Sequence, residues 1–368
     1  MRKDEPSMPF RLLAITDPGS AVSVSTRYRV TSFAPYLRRH HIHVETLRWP
    51  RRGSEEGGEG GEAGESKRAA LLESVAKADA VLFQRYLPSR RWLRRIRARA
   101  KRLVYDFDDA ILYSESTRGR PRLKLPRWWR FRAMMRCCDA VSAGNSYLAE
   151  LAQREAPRGR VGVLPTTVEL QRYDRDPARP ETAPVVGWIG GRWTLPYLAQ
   201  LRRPLEALSA EVAGLTLRVI ADQALDLGRT RVELVPWAQE TEVRELQRLR
   251  AGLAPLPDDA WTRGKCGLRL LQYLAAGVPA VASPVGTQAE IVRAGAALPA
   301  TSDSDWCLAL HRVLTEPSVA AELTARGHEL VRKQFSTSSW ADFARELWCG
   351  KEAWAAPAEA RADFARLR

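Results

Sequence analysis

The stretch Gly264–Gly286, GKCGLRLLQYLAAGVPAVASPVG, constrains the fold more than any other part of the chain. At about 100° per residue, Lys265, Arg269 and Gln272 share one side of a helix. Leu268, Leu270, Leu271 and Leu274 fill the broad opposite side, the pattern of a helix laid on a sheet. Gly277 supplies the left-handed residue that ends such a helix, and Pro279 blocks its continuation. Ala280–Val285 then reads as a short strand buried on both faces. Gly264, Lys265 and Gly267 are expected in the first helical turn, where free backbone N–H groups beside a cation form a seat for phosphate or diphosphate. The Gly-x-x-x-x-Gly-Lys-Ser/Thr spacing of a Walker loop is absent.

This helix-then-strand unit recurs. The first half alternates FRLLAITD, a helix from about Thr26, IHVETLRW, a helix from Lys67, AVLFQRY, SRRWLRRIRARA, RLVYDFDDAI, DAVSAG, SYLAELAQR and VGVLPT. The second half restarts with VVGWIG and continues through a helix from Thr194, LRVIAD, VELVPW, a helix from Glu240, AGLAPLP, the Gly264 helix, AVASPV, TQAEIVRAG and AALPA. Alternation of this kind implies mainly parallel sheets covered by helices, an α/β class. Two Rossmann-like domains facing each other across a cleft are expected: residues 1–170, then 185–335, joined by the Pro-rich polar linker 171–184. Residues 53–66 read as a flexible acidic insertion and 351–368 as a charged tail. A closing helix over 336–350 is expected to pack back on the first domain. Open α/β sheets bind ligands at the carboxyl ends of their strands, which is where a site is sought.

The 368 residues carry 58 Lys and Arg against 43 Asp and Glu, a formal charge of +15. No apolar run approaches the roughly 20 residues that span a bilayer. The acidic, short-cored N-terminus does not read as a secretory leader. Five cysteines without pairing or metal-ligand spacing fit a reducing cytoplasm. The positive charge, read as spread along amphipathic arginine-rich helices, suits anionic nucleotides and an anionic membrane surface. A basic nucleic-acid-binding protein is the rival, although no zinc finger, basic zipper or single-strand-binding motif accompanies the charge. The segment LPRWWRFRAMMR, with Trp128, Trp129 and Phe131 among arginines, fits either a helix resting on such a membrane or one turning its aromatics inward.

GKCGLRLLQYLAAGVPAVA, VVGWIGGRWTLPYL, VELVPW and FSTSSWADFARELW together resemble nucleotide-sugar-dependent glycosyltransferases of the GT-B fold, the retaining group found in bacterial surface-glycan synthesis. The likeness spans nearly all of residues 185–349 and extends more weakly to STRYRV, YDFDDAI, AGNSYL and VLPTTVELQRY. It implies transfer of a sugar from a nucleotide-diphosphate sugar to a hydroxyl of a glycan or lipid-linked glycan, with no separate cofactor and no bound metal. The chain departs from the family pattern where Gly264 and Gln272 replace two glutamates. Gln272 still offers an amide to a ribose, whereas Gly264 offers only backbone. A non-catalytic nucleotide-sugar-binding relative therefore stands as an alternative.

Within that resemblance the donor would be held by Lys265, Arg269 and the amides of Gly267 and Leu268 at the diphosphate, with Gln272 at the ribose. Gly190 and Gly191, after the first strand of the second half, would let the backbone approach the donor closely, and Arg192 beside them would face the same phosphates. Trp237, at the end of VELVPW, borders the nucleobase or packs in the core. In the first half Asp106, Asp108 and Asp109 position or deprotonate the acceptor hydroxyl, or else cap a helix or pair with Arg27 and Arg29. Arg27 and Arg29 are in turn candidate acceptor-binding cations.

Overall fold

The computed structural model describes residues 9–17, 24–50, 62–156, 160–174, 183–223 and 225–350, the side chains of 62–66 and 118 excepted. Most of the acidic insertion, the middle of the linker and the tail lie outside the described residues. The expected start of the helix at Lys67 is corrected: it runs Glu62–Lys77 and takes in residues 62–66, which the sequence pattern assigns to the flexible insertion.

The chain divides into two compact units, one of residues 9–112, 123–165 and 340–350, the other of 113–122 and 166–339. The first contains β1 (Phe10–Thr16), β2 (Ile42–Arg48), β3 (Ala80–Gln84), β4 (Leu103–Phe107), β5 (Ala140–Ala143) and β6 (Val161–Val163). These form one sheet in the order β2-β1-β3-β4-β5-β6, every adjacent pair parallel. β3, β4 and β5 are buried at every position, which is why they read as continuous apolar runs rather than alternating ones. Trp340, Phe343, Leu347 and Trp348 of helix Thr337–Cys349 enter the same core as Leu12, Phe33 and Leu82. Arg102 holds the end of that helix by donating to the carbonyls of Leu347 (2.9 Å) and Trp348 (3.0 Å). A cation there also meets the negative end of the helix dipole.

The second unit contains β7 (Val185–Ile189), β8 (Thr216–Ala221), β9 (Arg231–Pro236), β10 (Ala251–Ala254), β11 (Ala280–Ala282) and β12 (Leu298–Pro299). Its order is β12-β11-β10-β7-β8-β9, again all parallel. Each unit is thus a Rossmann-like domain whose strand order reverses once, between β1 and β3 in the first and between β7 and β10 in the second. The short pairing of β7 with β10 ends at Gly187 and Gly252. Beyond it the buried Tyr273 hydroxyl accepts from the Ile189 amide and reaches the carbonyls of Gly187 and Leu253, each at 3.2 Å.

Away from that point, helix Asp303–Thr315 begins with a capping box. Ser302 Oγ accepts from Asp305 N (3.2 Å), while the Asp305 carboxylate accepts from Ser302 N (2.9 Å) and Thr301 N (3.0 Å). Bonds from Thr301 and Ser302 hold the Asp305 carboxyl well below the usual range. A depressed carboxylate stabilises above its ordinary value and loses that contribution as pH falls. Ser302→Ala is expected to cost about 1 kcal/mol in urea unfolding at neutral pH. The effect of Asp305→Asn should shrink as pH drops below about 4.

Candidate functional site

In the second unit the site grows from the reversal between β7 and β10, where neighbouring strands send their connections to opposite faces and leave an opening. Four connections leave the carboxyl edge of this sheet from the reversal outward: the loop from β10 into helix Leu268–Ala275, Gly190–Thr194 after β7, Asp222 after β8, and Trp237 after the edge strand β9. That helix starts later than the sequence pattern suggests. Thr262–Gly264 is a separate 3-10 turn, Lys265 is extended (φ −71°, ψ 131°), and Gly267 is the N-cap at φ 72°. Gly264 and Lys265 are thus corrected to positions outside the first helical turn. Asp259 causes the delay: its carboxylate accepts from the amides of Trp261 and Thr262 (2.9 Å each) and closes a tight local turn. The left-handed residue at 267 suits glycine and redirects the chain into the helix.

Arg269 lies in the first helical turn and is half-buried. Its Nε donates to the Ile189 carbonyl at 2.5 Å, Nη2 reaches Thr194 Oγ1 at 3.4 Å, and the guanidinium sits 4.5 Å from the centre of the Trp188 ring. Burial lowers its pKa, and the groups that oppose this are Tyr273 and Tyr197 rather than a carboxylate. A Cβ on Gly190 would stand 2.7 Å from Arg269 Nη2 and 2.5 Å from Trp188, so only glycine lets these groups pack. Gly191 meets no such neighbour. Lys265 lies 4.7 Å above the centre of the buried Trp261 ring. Arg192 is exposed and paired with Asp222, Nε to Oδ2 at 2.7 Å, and that bond lowers the Asp222 pKa. Leu268 is half-buried and Gln272 is 5% exposed. Trp237 is 37% exposed rather than packed in the core, its Nε1 donating to Glu242 at 2.8 Å.

The acidic group of the first unit sorts into two sets. Asp106, on β4, is fully buried; Arg29, 1% exposed, donates to it through Nη2 (2.5 Å) and Nε (3.1 Å). Ser142 donates to the same carboxylate at 2.6 Å, and Arg29 Nη1 donates to the Leu164 carbonyl at 2.5 Å. This closed pair offers no edge to a ligand. Asp108 and Asp109 instead follow β4 beside the reversal between β1 and β3. Ser25 donates to Asp108 at 2.5 Å and receives from Gln84 at 2.8 Å, while Arg85 Nη2 lies 2.6 Å from Asp109 and Nε 3.6 Å from Asp108. Burial pulls the Arg85 pKa down, but Asp109, Asp108 and Asp17 outweigh it and hold the guanidinium charged. Arg27 is 9% exposed and donates to the Tyr28 hydroxyl at 2.8 Å.

Ser25, Gln84 and Arg85 were not distinguished by sequence reasoning, which read AVLFQRY as one strand. The strand stops at Gln84, and Arg85 adopts φ 62°, a left-handed conformation that is uncommon outside glycine. Nothing in a lone arginine after an apolar run announces that bend. No cluster of three or more His, Cys, Asp or Glu suited to a metal occurs among the described residues.

No protein-family model matches the chain, and no curated protein does. Solved structures do. A glycosyltransferase from Rickettsia africae superposes with a TM-score of 0.66 at 10% identity, covering 92% of this chain and 98% of its own. HepE from Anabaena, solved with UDP and glucose, gives 0.64 at 12%, with coverage of 92% and 98%. WaaG, a glycosyltransferase involved in lipopolysaccharide biosynthesis, gives 0.62 at 15%, with 93% and 100%. At such identities the likeness establishes the fold. The chain has the GT-B architecture of two Rossmann-like domains.

Proposed function

We propose that the protein is a glycosyltransferase that takes a sugar from a nucleotide-diphosphate sugar and attaches it to a hydroxyl of a glycan or lipid-linked glycan. The observation that carries this reading is Arg269: a half-buried guanidinium, braced by Ile189 and Trp188, with no carboxylate in ion-pairing distance among the described residues. A cation taken partly out of water without a counter-charge is costly unless a ligand supplies the anion. The amides of Leu268 and Arg269, at the start of a helix capped by Gly267, point such a seat toward phosphate. Lys265 adds a second cation from the preceding extended residue, and Arg192 a third once a ligand oxygen displaces Asp222. Gln272 and Trp237 retain the ribose and nucleobase roles.

The chemistry follows from that seat. The bond between the sugar's anomeric carbon and the terminal donor phosphate breaks, and the departing diphosphate carries the electron pair into the cationic pocket. The anomeric carbon bonds to the acceptor oxygen, whose proton passes to the diphosphate or a nearby carboxylate. Leaving-group stabilisation of this kind suits retention of configuration without a second nucleophile. Asp108 and Asp109, oriented by Arg85 and Ser25, are the carboxylates assigned to the acceptor, with Arg27 as its accompanying cation. Asp106 and Arg29 serve instead as the buried scaffold beneath them. HepE's UDP-glucose complex supports a uridine donor as the first to try.

The test is thermal unfolding with a panel of nucleoside diphosphates and their sugars. Stabilisation should grow with ligand concentration as binding linkage requires, and at about 100 times Kd should reach about 2.7 kcal/mol. Release of nucleoside diphosphate in the presence of an acceptor then separates transfer from binding alone. A panel without any stabilising member would overturn the reading.

A further inference from the structure

We propose that the first unit docks on an anionic bilayer surface through helix Arg90–Arg97 and the opening turns of helix Leu125–Cys137. The charge of this protein is not spread evenly, contrary to the composition-based expectation. Residues 89–105 and 117–138 contain 16 of the 58 Lys and Arg and none of the 43 Asp and Glu. The other 42 cations and 43 carboxylates nearly cancel, so the whole excess of +15 resides in two segments, which belong to the first unit except for residues 117–122. Part of it is used internally: Arg97 pairs with Asp139 at 2.6 Å, Arg132 with Glu155 at 3.0 Å and Lys101 with Asp79 at 2.8 Å. Arg90, Arg91, Arg94, Arg95, Arg127 and Arg130 have no carboxylate in ion-pairing distance among the described residues.

Apolar groups stand among these cations. Phe131, Met134 and Met135 anchor helix Leu125–Cys137 in the core, yet Leu125 is 59% exposed, and Leu123 and Trp129 are 45% exposed. The two helices lie side by side, with the Arg90 guanidinium 5.3 Å from the centre of the Trp129 ring. Arg90, Pro126, Trp129 and Arg130 line an open depression of 430 Å³. A nucleic acid would satisfy the arginines and leave the leucines in water. A bilayer interface satisfies both, since guanidinium groups meet lipid phosphates while tryptophan and leucine enter the headgroup boundary. The helices follow β3 and β4, so Arg90 and Leu125 stand at the same sheet edge as Gln84, Arg85 and Asp108. Docking there would bring the acceptor carboxylates to a lipid-linked glycan; that consequence alone rests on the proposed transferase activity.

The experiment is co-sedimentation of the full chain with phosphatidylcholine vesicles, with or without phosphatidylglycerol. Binding is expected only to the anionic vesicles. Each cation near such a surface contributes roughly fivefold, so Arg90→Glu/Arg91→Glu/Arg130→Glu should weaken binding by at least about a hundredfold. Leu125→Ser/Trp129→Ser, at unchanged charge, should weaken it by about tenfold through lost apolar burial. Unfolding midpoints without ligand check each variant, and the exposed single changes Arg91→Glu and Trp129→Ser replace any multiple variant that unfolds. No sedimentation, or equal sedimentation with neutral vesicles, overturns the proposal. So does an unaltered serine variant, which would mark a polyanion site instead. The readout requires no nucleotide, so failure of the donor reading leaves it interpretable.

Discussion

Arg269→Met is expected to lower affinity for a nucleoside diphosphate by about a hundredfold while leaving the free protein as stable as before or slightly more so. Hydrogen bonds to charged groups contribute about 1.5–3 kcal/mol, and 1.4 kcal/mol corresponds to tenfold, so losing the bonds from one guanidinium accounts for that factor. The free-state expectation has a separate cause. Arg269 is charged and half-buried, has no carboxylate partner among the described residues, and has its pKa lowered by burial. Methionine removes that cost and retains an apolar contact with Trp188. Sites held ready for a ligand commonly give up stability in this way. Arg269→Lys should recover only part of the affinity, because an ammonium reproduces neither the bond to Ile189 nor the flat contact with the indole. Isothermal titration with UDP, paired with unfolding of the free variants, measures both quantities. Unchanged affinity in the methionine variant would remove Arg269 from the donor seat.

Asp106→Asn is expected to destabilise the first unit by about 3–5 kcal/mol, since it leaves the Arg29 charge buried opposite a neutral amide. Replacing both partners, Arg29→Met with Asp106→Leu, should restore most of that loss, because an apolar pair needs no counter-charge. Urea unfolding of the two variants checks the sign of each step. A reactive carboxylate would behave differently: its amide would retain the fold and lose turnover. Full stability with abolished transfer in Asp106→Asn would return Asp106 to the chemistry and displace Asp108 and Asp109.

The contrast between these carboxylates explains how much was legible beforehand. YDFDDA is readable as a strand ending in acidic residues, and it does end β4 at the carboxyl edge of the first sheet. Which carboxylate turns inward is a different matter. Asp106 is the last but one residue of β4 and points at Arg29, 77 positions earlier in the chain, because strand order brings that helix alongside. Asp108 lies past the strand, where the pleat no longer dictates direction. Likewise, Lys265 and Arg269 share a helical face by periodicity, but the Asp259 turn holds Lys265 out of the helix. Arg85 was unreadable for a related reason: its left-handed backbone follows from where β3 stops, and the apolar run before it gives no such boundary.

What the chain alone determined was its local grammar. Apolar runs too short for helices, alternating with amphipathic stretches, leave parallel sheets covered by helices as the compact way to bury both. Glycine at 277 with proline at 279 set where one helix ends, since backbone conformation depends on neighbours in sequence. The tertiary structure alone decided which charges are matched. It closed Asp106 on Arg29, set Arg85 between Asp108 and Asp109, and seated Arg269 against Ile189 and Trp188 with no carboxylate in ion-pairing distance among the described residues. Charge pairing depends on separations of a few ångströms between residues far apart in the chain, and only the strand order sets those distances.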